Sequence, residues 1–104
     1  FISGLISWDE NQEIIGTGDA YVQAFNIFAA MKALIEAAGG KMNDVAKITM
    51  FVTDMRYQPD IWKARREFFT GDFPCSTLVC VSQLFKPDAL VEIEAIGVIG
   101  AGEE

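Results

Sequence analysis

Few residues in this chain have the means to do chemistry. Ser3, Cys75, Ser76, Thr77 and Cys80 carry hydroxyls or thiols, Glu92 carries a carboxylate within a strand-like run, and Arg65, Lys47 and Lys86 are cations. There is no histidine. Ser76 therefore lacks the usual activating base, and a bare serine is a poor nucleophile. Lys47 or Lys86 is conceivable as the base, with nothing to prefer either. Cys75 and Cys80 lie five residues apart in one strand-like run, so they point to opposite faces and cannot bridge each other. They read as reactive thiols or, more plainly, as inert buried packing. Without histidine or a third cysteine, no metal site is expected, and no cofactor is indicated. Glu92 reads plainly as a polar residue on the outer face of a strand, and Arg65 as a solvated or paired cation.

Composition narrows the classes. A chain of 104 residues is expected to form one domain, 1–104. With 51% hydrophobic residues, disorder is excluded as the main state. The net charge of −7, from 8 basic and 15 acidic residues, is the wrong sign for a nucleic-acid partner. Only Lys63, Arg65 and Arg66 come close together. No apolar run reaches the ~18 residues that would span a bilayer, so no membrane partner is expected. No basic start followed by an apolar segment marks a secretory signal. Free thiols suit a reducing cytoplasm. The chain opens at Phe1 inside a strand-like run, which reads as a fragment lacking an N-terminal strand.

The elements that must position these residues follow from periodicity and punctuation. Phe1 to Ser7 reads as a strand, with Gly4 marking a bulge or a close backbone approach. Asp19 is placed to cap a helix from Ala20 to Ala38 that stops at Gly39-Gly40. That helix is apolar almost all round, as expected for one buried on more than one side. Its plainer partner is the sheet and a neighbouring subunit; the sharper reading is an apolar patch for another protein. Ala46 to Thr53 is a strand with Ile48, Met50 and Val52 on one face. Pro59 opens a second helix, which runs to about Phe69 with Ile61, Ala64, Arg65, Phe68 and Phe69 facing inward and Trp62 at the border. Cys75 to Ser82 and Leu90 to Ile99 read as two strands of a hairpin, broken at Lys86-Pro87-Asp88. The order predicts an α+β layer, a mixed sheet with both helices on one face. Strands joined through helices should run parallel, by right-handed crossovers.

The stretch Pro74 to Ile96, P-x-x-T-L-V-x-V-x-x-L-x-x-P-D-A-L-V-E-I-E-A-I, resembles the C-terminal signature of the RidA/YjgF family, also called the L-PSP endoribonucleases. Ile2-Ser3-Gly4, Lys32 to Gly39, Phe51 to Met55 and Phe69 match in the same order along the whole chain. The resemblance implies a chorismate-mutase-like fold, a homotrimer whose sheets face a central core, and small-molecule sites in the clefts between subunits. The missing strand would carry a G-P-Y-type motif lining that site. The implied chemistry is hydrolysis of reactive enamines and imines derived from amino acids, with ammonia released. In such proteins an arginine two residues after the motif proline grips the substrate carboxylate, and a glutamate, here Glu92, helps to position the attacking water.

The arginine position is Ser76 in this chain. Serine offers one hydrogen bond and no charge, whereas a guanidinium offers a charged fork. Leu5 stands where the family has glutamine, Trp62 where it has asparagine, and Arg65 where it has tyrosine. Arg65 is thus a second source of the missing charge. Ser3, Gly4, Cys75 and Thr77 complete the expected substrate-binding set. Three readings follow: a deaminase-type hydrolase of altered substrate choice, a non-catalytic ligand-binding or regulatory trimer, and an interaction subunit using the apolar first helix.

Overall fold

The structure, a computed structural model, describes residues 1–71 and 73–102. Its elements are β1 (Ile2–Leu5), α1 (Ala20–Ala37), β2 (Val45–Val52), α2 (Gln58–Phe68), β3 (Cys75–Cys80) and β4 (Val91–Gly97), with short 3-10 turns at Met42–Asp44 and Met55–Tyr57. Local chemistry sets the ends. The Asp19 carboxylate accepts from the Val22 N–H at 3.0 Å, which caps α1 as expected. Pro59 sits in the first turn of α2, where its missing N–H costs nothing.

The four strands form one mixed sheet in the order β1-β4-β2-β3. β2 and β3 are parallel neighbours joined through α2. β4 pairs antiparallel with both β1 and β2, so β1 and β2 run in the same direction. One sheet face is buried. Ile48, Met50 and Val52 of β2 and Val91, Ile93 and Ala95 of β4 meet Ile27, Phe28 and Met31 of α1 and Ile61 and Ala64 of α2. Complete burial of each large apolar side chain stabilises the fold by roughly 1.5–3 kcal/mol. Phe28 and Phe69 close the helix layer edge to face, with ring centroids 5.7 Å apart.

The α+β layer with both helices on one face is therefore as expected, but the C-terminal hairpin is not. β3 and β4 never touch as neighbours, because β2 lies between them. The ten residues 81–90 carry the chain from one side of β2 to the other. Tight hairpins use loops of about two to five residues, and this connection is long enough to cross. Alternation identifies a strand and its buried face; it does not identify the neighbour.

What holds that crossing is a residue that reads as merely polar. Gln23 of α1 is fully buried. Its amide donates to the carbonyls of Gly16 and Asp88, both at 3.1 Å, and accepts from the Leu90 N–H at 2.8 Å. The inward face of α1 is accordingly Ala20, Gln23, Ala24, Ile27, Phe28, Met31 and Ile35. Phe25 and Leu34 face outward.

Candidate functional site

Two groups of residues stand out, on opposite faces of the sheet. The first is built by β1 and β4. The β1–β4 register shifts between Ile2 and Leu5, and Gly4 lies in that irregular step. The backbone there passes directly against Glu92. A Cβ at Gly4 would collide with the Glu92 carboxylate, coming within 2.8 Å of its Cδ. The glycine thus gives the half-buried Glu92 side chain its berth. Ser3 is exposed on the same open face. Beside it a groove of about 380 Å³ is lined by Phe1, Ser3, Lys47, Thr49, Glu94 and Ile96 among others. Lys47 Nζ donates to Thr77 Oγ1 at 3.4 Å, which spans β2 and β3 on this face.

The second group is built by α2 and the start of β3. Arg65 Nη1 donates to Ser76 Oγ at 3.2 Å, and Ser76 Oγ donates in turn to the Pro74 carbonyl at 3.1 Å. The guanidinium lies 4.0 Å from the Trp62 ring centroid and 4.7 Å from that of Phe73. Its Nε is buried without a hydrogen-bond partner. Among the described residues no carboxylate pairs with Arg65. Burial pushes its pKa down from the ordinary value, and the charge of Arg66 adds to this. An arginine remains cationic through such a shift. The result is a cation against two aromatic rings, with no described carboxylate paired to its charge.

Strand register keeps the two groups apart. Ser76 pairs with Ile48, which pairs with Ala95, whereas Glu92 pairs with Phe51 three residues along the strand. Two strand spacings and three residue steps separate Ser76 from Glu92 by on the order of 14 Å, on opposite faces. Cys75 and Thr77 flank Ser76 but point to the open face with Lys47 and Thr49. Cys75 and Cys80 are both free and both exposed, where the packing reading had them buried. Among the described residues β3 is an edge strand, with no strand beyond it.

The family model described as Endoribonuclease L-PSP matches residues 1–99. The chain belongs to this family, the RidA/YjgF proteins. It is 38% identical over 99 residues to a 2-iminobutanoate/2-iminopropanoate deaminase of Dermatophagoides farinae, covering 95% of this chain and 77% of the relative. Among solved structures it resembles a protein of unknown function from Pseudomonas aeruginosa, at 38% identity and a TM-score of 0.84, over 94% of this chain and 72% of that one. It also resembles RidA from an Antarctic Psychrobacter, at 33% identity and a TM-score of 0.85, over 93% of this chain and 77% of that one.

Within this RidA-type fold, the contact between Arg65 and Ser76 joins two of the residues expected to bind substrate. The aromatic walls around the guanidinium were not singled out as site residues. Trp62 stands three residues before Arg65 on α2, a spacing that puts both on one helix face. That spacing was a legible signal. Phe73 gave none, because it reaches the site only through the path of the chain into β3.

Proposed function

We propose that this RidA-family chain, as one RidA-like domain, hydrolyses a reactive enamine or imine derived from an amino acid, in clefts between subunits of a homotrimer. The reaction is R₂C=NH + H₂O → R₂C=O + NH₃. Water adds to the imine carbon, a proton passes to nitrogen, and the carbinolamine collapses to a ketone and ammonia. Glu92 is the group suited to orient that water, taking its proton and returning it to the departing nitrogen. The observation that carries this reading is the Glu92 carboxylate, half-buried and berthed against Gly4 on the open sheet face. The name carried by the 38% identical relative supports the substrate class. Distance supports the cleft. One chain holds Glu92 and the Arg65–Ser76 pair on opposite sheet faces, far apart for one small substrate, which supports a second copy as the means of bringing the two groups together. Free, exposed thiols suit a cytoplasmic home for such a protein.

The test is turnover. Freshly generated 2-iminobutanoate and 2-aminoacrylate should disappear faster with protein, and Glu92→Gln should lower the rate about 10²-fold or more. A second reading, a trimer that binds ligands without catalysis, is favoured by the uncharged Ser76 at the arginine position. A protein silent toward both imines that still binds 2-oxobutanoate would decide for it.

A further inference from the structure

We infer that Arg65 is this chain's carboxylate-binding residue, presenting from α2, at the mouth of β3, a charged fork to a small 2-oxo or 2-imino acid. The inference takes its substrate from the deaminase reading, but the anion site stands on geometry of its own. The guanidinium has three neighbours: the Trp62 ring at 4.0 Å, the Phe73 ring at 4.7 Å, and Ser76 Oγ, which accepts from Nη1 at 3.2 Å. Ser76 is locked in that role because its own proton goes to the Pro74 carbonyl at 3.1 Å. A hydroxyl so committed can only accept from the arginine.

Nε is buried, so the fork made by Nε and one terminal nitrogen is closed to ligands. The edge formed by the two terminal nitrogens is the one a carboxylate can meet. Packing against the two rings reduces the side-chain freedom of Arg65 that anion binding would otherwise have to freeze, which favours binding. Among the described residues no carboxylate occupies that edge. The small side chain at position 76 is part of the arrangement. A larger residue there would fill the space where the guanidinium rests, so Ser76 and Arg65 act as one exchange of charge from strand to helix.

The test measures binding of 2-oxobutanoate, the stable ketone counterpart of 2-iminobutanoate, by calorimetry. Arg65→Gln should weaken binding about 30-fold or more, the usual consequence of deleting one partner of a charged hydrogen-bonded pair. Arg65→Lys keeps the charge and loses the fork, so it should weaken binding less while leaving the fold intact by circular dichroism. The swap Arg65→Gln with Ser76→Arg returns the charge to the strand and should restore binding. A merely structural arginine would show no such rescue. Unchanged affinity in Arg65→Gln overturns the inference, as does inorganic phosphate binding as tightly as 2-oxobutanoate. The two readings separate cleanly. Arg65-dependent binding without imine turnover leaves the carboxylate site standing and removes the deaminase. Turnover indifferent to Arg65 does the reverse.

Discussion

At the scale of the residue, this chain relies on close fits between unlike partners. Gly4 is the sharpest case. Its role is not backbone freedom but the absence of a Cβ, which would otherwise meet the Glu92 carboxylate. Gly4→Ala should therefore keep the fold and misplace the one carboxylate assigned to the water. A displacement of about 1 Å at a reacting group can cost about 10²-fold in rate. Turnover by Gly4→Ala should fall to near the level of Glu92→Gln, and the double variant should fall little further, because both act on one group. A double variant whose loss is the product of the two single losses would mean that Gly4 acts elsewhere. The Arg65–Ser76 contact has the same character: a long side chain reaches across to a short one.

At the scale of the element, the alternating faces of β2 were legible and the order of the strands was not. The alternation of Ile48, Met50 and Val52, and of Val91, Ile93 and Ala95, is a local pattern, and all six are buried. The placement of β2 between β3 and β4 depends on contacts remote in sequence, such as Gln23 with Asp88 and Leu90. A lone glutamine on a helix gives no sign of which carbonyl it will meet. For the same reason the pairing of Gly4 with Glu92 and of Arg65 with Ser76 was out of reach, although each residue could be named. Asp44 shows a further remote lock. It is buried beside the start of β2, and its carboxylate accepts from the N–H of Gly102 at 2.9 Å and from that of Lys41 at 3.0 Å. Its own carbonyl accepts from the Val98 N–H. These backbone donors, Gly102 foremost, hold its pKa below the ordinary 3.8. A lowered carboxylate pKa contributes stability that is present above the unfolded value and is lost as pH falls through the folded one. Asp44→Asn should accordingly lower the melting temperature at pH 7, and its gap from the unaltered protein should narrow as pH drops below about 4. A gap that stays constant across that range would show that the charge of Asp44 is not what ties the C-terminal segment down.

At the scale of the whole molecule, the two helices bury one face of the sheet and leave the other mixed. Phe51, Val79 and Ile96 share that open face with Lys47, Thr49, Glu92 and Glu94. A sheet face carrying half-exposed aromatic and branched residues is the natural seat for a copy of the chain, and the proposed cleft needs such a copy to join Glu92 with Arg65. Assembly and chemistry should therefore fail together. Thr49 is the place to test this, because it sits on central β2 between Thr77 and Glu94, half-buried on the open side. Thr49→Arg puts a long cation where a second sheet would close, and an unpaired charge in such an interface is strongly unfavourable. Sedimentation should show trimer giving way to monomer, with far-ultraviolet circular dichroism unchanged and imine turnover lost. The Glu94 carboxylate opposite position 49 is the obvious partner for the new charge, so Thr49→Phe, which adds bulk without charge, should give the same direction of change. If both variants remain trimeric and active, the open sheet face is not where the subunits meet, and the cleft that completes the site must be sought at the β3 edge alone.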